Sequence, residues 1–413
     1  MTTIDASLPG ATVGAGELAA LRAAVAAAEP AYLAELERLV AIDSGSHSPA
    51  GVDAVGVRVA AALTGIGARV RTHPDPGGRF GANVVGTVDG GPGGPRVLLI
   101  GHTDTVFPDG TAAERPFRVA GGRATGPGVC DDKGGLLAGI HALGALAAVG
   151  PLPFERVTLL ANADEEVGSP SSTPLVRALA AEVDVVLVLE CARANGDLVS
   201  ARKGILDLEL TIHGRAAHAG VEPAKGRSAI LEAAHQVIGL QRLADGWPGV
   251  TVNAGVIEGG TRPNVVAARA RLEVDVRAPD RSGLERTEAA VHELAAAPVV
   301  AGTWVVIREL ARHWPMERSP AAARLVGHAR ALASRLGFEV RDAATGGASD
   351  ANTTAGMGVP TLDGLGPIGG DDHSVDEWLD VASIVPRTTL LAALLLAIAR
   401  DPATARREPP GQA

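Results

Sequence analysis

Aliphatic runs that stop abruptly in short glycine- and acid-rich turns set the plan of the first half of this chain. Val97–Ile100 in PRVLLIGH, Val157–Leu160 in RVTLLANADEE and VDVVLVLE at 183–190 are almost unbroken apolar stretches of strand length. That is the pattern of strands buried on both faces. Ala/Leu-rich helical stretches alternate with them, LLAGIHALGALAAV at 136–149 among them. Up to about Ser200 this alternation predicts an α/β layer sandwich. After Ala201-Arg202-Lys203-Gly204 the pattern changes. ILDLELTIHG (205–214) and VVAARARLEVDVRA (265–278) alternate apolar with polar, and so read as half-exposed antiparallel strands. Helices over 226–244 and 281–297 lie between and after them, and TWVVIREL (303–310) adds a strand. The expected fold is therefore α/β in two domains. An α/β/α sandwich is built from 1–201 and 312–413, and an inserted α+β domain of βαββαβ type, over 202–311, has one open sheet face and a free edge. A helix at Pro320–Leu336 returns the chain to the first domain.

The turns that end the buried strands carry the chemistry. His102 and Asp104 stand two residues apart at a strand end, so their side chains point the same way. Asp104 can then hold the ring of His102 from behind, fixing its tautomer while the other nitrogen binds metal. A polar turn capping a strand explains the same pair. The acidic turn GPGVCDDKGG (126–135) opens the 136–149 helix. Two adjacent aspartates suit helix capping, but one carboxylate can also bridge two cations about 3.5–4 Å apart. Asp131 is the bridging candidate and Asp132 the structural cap. In Asp164-Glu165-Glu166 adjacent side chains face different ways, so one glutamate can bind metal while its neighbour faces a substrate as general base. Glu190 closes an almost unbroken aliphatic strand, and a cation beside it accounts for a carboxylate in that position. His373, in GGDDHSVDEW, precedes the final helix.

Together His102, Asp131, Glu166, Glu190 and His373 make a ligand set for two zinc ions. The carboxylates of Asp131, Glu166 and Glu190, with Glu165 close by, would repel one another without cations. Imidazole and carboxylate donors without thiolate suit zinc, with cobalt or manganese as substitutes.

These segments resemble the two-zinc aminopeptidase and amidohydrolase family that includes acetylornithine deacetylase, succinyl-diaminopimelate desuccinylase, aminoacylase and the glutamate carboxypeptidases. The resemblance runs from about Leu33 to Leu396. HTDTVFPDG, PFRVAGGRATGPGVCDDKGG, NADEEVGS, AAHAG and TGGASDA are most similar to the glutamate carboxypeptidase (carboxypeptidase G) branch. It implies that His102 and Glu190 hold one zinc, Glu166 and His373 the other, and that Asp131 bridges them across a cis Asp131–Asp132 peptide. Asp104 would orient His102, Glu165 would act as general base and acid, and a di-zinc-bound hydroxide would attack an amide. His218, in GRAAHAG, would polarise the scissile carbonyl, often from a partner subunit. Arg277 and Asn264 would grip the substrate carboxylate, Arg with its bidentate fork. Gly347 would give the close backbone approach that glycine permits. The inserted domain would act as lid and dimerisation surface, its exposed β edge being a plausible pairing surface.

Two features bear on the specificity. This chain has Leu198 where the glutamate carboxypeptidase pattern carries a lysine, and HWPM where an RPPM-like run is usual. Lys203 and Arg312 are the cations left for a glutamate side chain, and a small or apolar C-terminal residue is the alternative. The expected activity is carboxypeptidase-type hydrolysis of N-acyl or peptidyl amino acids. A deacylase, aminoacylase or desuccinylase is the second reading, and a catalytically silent metal-binding scaffold the third. Retention of Glu165, Asp104 and His218 argues against the scaffold, which needs ligands but no base.

Composition narrows the rest. A length of 413 residues calls for two domains, and a net charge of −10 with no basic patch excludes nucleic acid and anionic membranes as expected partners. MTTIDASLPG shows no secretory signal, and the run LLAALLLAIA (390–399) is too short to span a bilayer, so a buried core helix is expected. Residues 1–14 and 401–413 carry no pattern of an ordered element. Two cysteines build no disulfide framework, which points to a reduced, cytoplasmic protein. Cys130 precedes Asp131 and Cys191 follows Glu190, so the thiols lie close if the two turns converge. Small buried fillers pointing away from the metals are the plainer expectation.

Overall fold

The computed structural model describes residues 13–401 and 403–404. It divides into two compact units. The first ends at Ser200 and resumes over Arg318–Ala344 and from Ser349 onward; the second comprises Ala201–Glu317 with Thr345–Ala348. The strand Trp304–His313 pairs with 205–213 along its length and carries the second unit past residue 311.

In the first unit six strands form one mixed sheet. Their order is Arg69–His73, Asn83–Asp89, Arg156–Asn162, Arg96–His102, Val185–Val188 and Thr361–Leu362. The last four run parallel, with His102 opposite Asn162 and Ile100 opposite Val188. Three of them, Arg156–Asn162, Arg96–His102 and Val185–Val188, are almost wholly buried, which is why their sequences read as unbroken aliphatic runs. Parallel strands end on a common edge, and in open α/β sheets that edge is where loops gather into sites. His102, the Asp164–Glu166 turn and Glu190 thus leave the sheet side by side.

The helix Lys133–Val149 packs on the strand Arg96–His102 and against the helices Ala15–Val40 and Ile384–Arg400. It approaches closely because glycines lie on its inner face. A Cβ at Gly135 would come within 2.0 Å of the Leu189 carbonyl oxygen, so any larger residue pushes the helix off the strand that carries Glu190. The final helix extends beyond the ten-residue apolar run read from sequence. Among the described residues Val381–Arg400 is long and apolar enough to cross a membrane, but 78% of its most apolar window is buried inside the protein. It packs against the helices at 15–40, 133–149 and Pro320–Leu336, as a core helix does.

A second, four-stranded sheet, Gly369–Gly370, Trp378–Asp380, Arg123–Thr125 and Arg118–Ala120, carries the loop that bears His373. These strands are two or three residues long, too short for a periodicity to show. Most of the two terminal segments expected to lack ordered elements lies outside the described residues. Order nevertheless reaches into both: Val13 is buried in the core, and His328 Nε2 lies 2.9 Å from Asp401 Oδ2.

The second unit is an antiparallel sheet in the order Thr251–Gly259, Arg269–Ala278, Gly204–His213, Trp304–His313. Leu206, Leu208, Leu210 and Ile212 interleave with Leu272, Val274 and Val276, and the helices Ala229–Ala244 and Arg281–Ala296 complete the core. This alternation with polar residues is what marked the strands in the sequence. The strand Thr251–Gly259 carries no clear alternation in its sequence. It lies at the sheet edge, its residues are mostly exposed, and a register shift between Ala254 and Val256 interrupts its alternation.

Candidate metal centre and active site

His102 is the last residue of its strand, and its ring is buried. Nδ1 lies 3.0 Å from the backbone oxygen of Asp104 and 3.4 Å from Asp104 Oδ1. Asp104 therefore does back the ring, chiefly through its carbonyl. A proton on Nδ1 leaves Nε2 as the donor atom toward a metal. The Asp104 carboxylate has other work: it accepts from Ser46 Oγ at 2.7 Å and from the backbone N–H groups of Glu165 and Glu166, both at 3.1 Å. One aspartate thus fixes both the imidazole and the two-glutamate turn, a link the sequence could not show.

His102 Nε2 is 2.9 Å from Asp131 Oδ1 and 3.6 Å from Glu190 Oε1. On the other side, His373 Nε2 is 3.2 Å from Asp131 Oδ2 and 2.9 Å from Glu166 Oε2. The structure thereby sorts the five side chains into two groups, His102–Asp131–Glu190 and Asp131–Glu166–His373. Within each, the ligand atoms lie within 4.8 Å of one another. Asp131 belongs to both and turns one oxygen to each. That is the arrangement of a bridging carboxylate, and with imidazole and carboxylate donors only it fits two divalent cations.

The Asp131–Asp132 peptide is cis. Asp132 stands at the N-cap position of the following helix, but its side chain caps no helical N–H. It accepts from the His102 N–H at 3.2 Å instead, so the expected capping role gives way to one of steadying the strand end.

Two residues that hold the acidic turn were not singled out from sequence. Glu377 accepts from the backbone N–H groups of Gly128, Cys130 and Asp131 at 2.9, 2.9 and 3.2 Å. Burial raises its carboxyl to about 7 despite those three donors. Lys133 is fully buried and donates to the carbonyls of Ile42 and Pro127 at 3.0 and 3.3 Å, and burial lowers its ammonium to about 8. Glu377 follows His373 by four residues in the same acidic loop. Its only signal was a carboxylate in a segment that already supplies a ligand.

Charge couples the two groups. Burial pushes the Glu165 carboxyl well up, with Glu190 adding to it, and burial also raises Glu166. Hydrogen bonds to Asp131 and Glu166 lift the His373 imidazole to about 11. Without cations His373 thus carries a proton throughout the neutral range, and a metal must displace it. Cation affinity should rise with pH from 6 to 9, by about tenfold per pH unit for each proton displaced. Titration calorimetry in buffers of differing ionisation enthalpy reads this directly; binding without net proton release is the contrary result.

The second unit gathers its own polar group. An antiparallel bridge sets His218 opposite Val265, beside Asn264, whose carbonyl accepts from the Ala219 N–H at 2.9 Å. His218 is exposed, and its Nδ1 accepts from the Gly220 N–H at 3.1 Å. In the neutral ring the proton then sits on Nε2, leaving an outward donor. Arg277 donates to the Gly346 carbonyl at 2.8 Å and pairs with Asp275, and the buried Arg202 donates to the Gly347 carbonyl at 3.1 Å. Two arginines therefore hold the 345–348 segment, of which only Arg277 was a candidate.

A Cβ at Gly347 would meet only Arg202 Nη1, at 3.8 Å, so the space beside its backbone is open. One expectation needs correction. Arg312 spends its fork on Glu288, at 2.5 and 2.9 Å, and on Glu309. It lies in an internal ion-pair cluster over Trp314 and drops out as a side-chain clamp. Lys203 is half-buried at the head of the strand Gly204–His213.

Comparison with known proteins agrees with this geometry. Residues 98–397 match the model of peptidase family M20/M25/M40. The chain is 33% identical over 374 residues to carboxypeptidase G2 of Pseudomonas sp. (strain RS-16), covering 89% of each. It is 34% identical over 266 residues to acetylornithine deacetylase of Myxococcus xanthus, covering 60% of this chain and 67% of that one. Its fold is similar to that of aminopeptidase PepT from Bacillus cereus, with a TM-score of 0.74 at 23% identity over 90% of this chain and 99% of that one. The chain belongs to the M20 peptidase family. It is a metallopeptidase or amidohydrolase that acts on peptide or amide bonds, and its family implies a divalent metal.

Proposed function

We propose that this enzyme is a carboxypeptidase-type hydrolase that removes a C-terminal amino acid, of glutamate type, from N-acyl or peptidyl amino acids with two resident zinc ions. The observation that carries this reading is Asp131, whose two oxygens face two histidines in two separate ligand groups. The relationship to carboxypeptidase G2 supports the carboxypeptidase direction. His102 and Glu190 would hold one cation, Glu166 and His373 the other, with Asp131 between. When bound, such a pair acidifies water and polarises a carbonyl.

The chain's own residues do the rest. Glu165, held beside the ligands by its N–H bond to Asp104, takes the proton from the attacking water and returns it to the leaving nitrogen. His218 donates from Nε2 to the developing oxyanion. Arg277, with Asn264 and the Gly347 segment, receives the α-carboxylate of the departing amino acid. Lys203 is the remaining cation for a glutamate side chain. His218→Ala should lower kcat by about 10²–10³-fold and leave metal content unchanged; unchanged turnover would remove His218 from the site.

The similarity to acetylornithine deacetylase favours a second reading, in which the acyl group is selected and the amino acid tolerated. A panel of N-acyl amino acids separates the two. Preference for glutamate over aspartate, alanine, leucine and lysine across several acyl groups supports the carboxypeptidase. Selectivity on the acyl side supports the deacylase.

We further propose that the second unit pairs with its copy in a homodimer. Its edge strand Thr251–Gly259 and neighbouring helix leave Ile257, Ile230, Leu231 and Ile238 exposed, and unpaired edges of this kind favour pairing. Light scattering that returns a monomeric mass would refute it.

A further inference from the structure

The turns that carry the metal-binding candidates also bring Cys130, Cys191 and Asp372 together. Their ligand atoms lie within 4.8 Å of one another. Cys130 Sγ is 3.2 Å from Asp372 Oδ1, and Cys191 Sγ is 3.6 Å from both oxygens of the same carboxylate. Both thiols are buried and Asp372 is half-buried. Each of the three is the chain neighbour of a proposed ligand, in the pairs Cys130–Asp131, Glu190–Cys191 and Asp372–His373. Each dipeptide thus gives one donor to the carboxylate–imidazole centre and the other to a separate cluster.

Both cysteines are packed in the apolar core, as fillers are, but their sulfurs converge on one side chain. They face an acidic side chain whose partners here are two S–H groups, which are weak donors for a carboxylate. Room is kept for this cluster by the short strand Gly369–Gly370: a Cβ at Gly369 would stand 2.4 Å from Cys130 Sγ. Arg193 Nη2 lies 3.8 Å from Cys191 Sγ, which sets a positive charge beside the cluster.

We propose that Cys130, Cys191 and Asp372 form a third cation site, distinct from the carboxylate–imidazole pair, for a thiophilic divalent cation such as zinc, cadmium or cobalt(II). Two thiolates and a carboxylate supply three donors, leaving a fourth tetrahedral position to water. On binding, each thiol releases its proton to solvent. The three negative ligands exceed the cation by one charge, which Arg193 offsets.

The test uses the full chain, stripped of metal, kept under reductant and titrated with cobalt(II). A thiolate-to-cobalt charge-transfer band should appear in the near ultraviolet and stop growing by the third equivalent, the carboxylate–imidazole centre taking up the other two. It should be lost in Cys130→Ser and Cys191→Ser and persist in His102→Ala, which damages only the other centre. No band in the unaltered protein, with two reduced thiols counted after denaturation, overturns the proposal; so does a band that survives Cys191→Ser. Should the serine variants fail to fold, X-ray absorption of the unaltered chain loaded with zinc decides. A sulfur shell at about 2.3 Å, averaged over the bound zinc, supports the site, and oxygen and nitrogen ligands alone refute it. Because the readout is sulfur ligation rather than turnover, a failure of the proposed activity leaves it untouched.

Discussion

Glu165→Gln should bind manganese and substrate as the unaltered enzyme does and turn over about 10²–10⁴-fold more slowly. Glutamine keeps the size of the side chain and its place in the short turn Glu165–Val167, so the change removes proton transfer and little else. The backbone that carries Glu166 hangs on Asp104, through N–H bonds that glutamine does not disturb. In the protein without cations, burial and Glu190 hold the Glu165 carboxyl well above its usual range. Two divalent charges would reverse that balance and favour the carboxylate a base needs. Steady-state kinetics with metal analysis on the same sample checks this. Loss of activity with loss of metal would make Glu165 a ligand, and near-normal turnover would deny it any role in the chemistry.

Asp131→Ala should do the opposite, removing metal first and activity with it. Manganese, which prefers oxygen to sulfur donors, should bind at two per chain in the unaltered protein and at fewer than one in the variant. The reason lies in the sharing of one carboxylate between both groups. Its loss takes a ligand from each and leaves Glu166 and Glu190 with less reason to stay near the imidazoles. A ligand that served only one cation would lower the count to one. Equilibrium dialysis therefore separates a bridge from a terminal ligand, and two manganese ions retained by the variant would contradict the bridge.

Much of this arrangement was legible in the sequence because it rests on short-range rules. Buried parallel strands announce themselves as aliphatic runs, and the residues just after Ile100, Leu160 and Leu189 could be read as a row of polar strand ends. The alternation in Leu206–Ile212 and Leu272–Val276 marked the half-exposed sheet of the second unit for the same reason. What the sequence hid depends on contacts between distant segments. Glu377 reaches the acidic turn across more than two hundred residues, and Asp104 ties His102 to the Glu165 turn through backbone groups that carry no residue signal. Arg312 looked available because its partners, Glu288 and Glu309, are ordinary surface acids until the fold sets them around it. Asp132 was read as a cap because helix starts favour aspartate, whereas its carboxylate serves the neighbouring strand.

In the proposed mechanism paired divalent cations drive amide hydrolysis next to a free carboxylate. The most direct measurement is the hydrolysis of N-acyl glutamate by protein stripped of metal and then restored with zinc, beside the same substrate carrying an amide in place of its α-carboxylate. Cleavage should be absent without metal, return with zinc, and fall sharply for the amide analogue. Cleavage that survives metal removal would rule out the cations as the source of catalysis, and cleavage that ignores the missing carboxylate would rule out a carboxypeptidase.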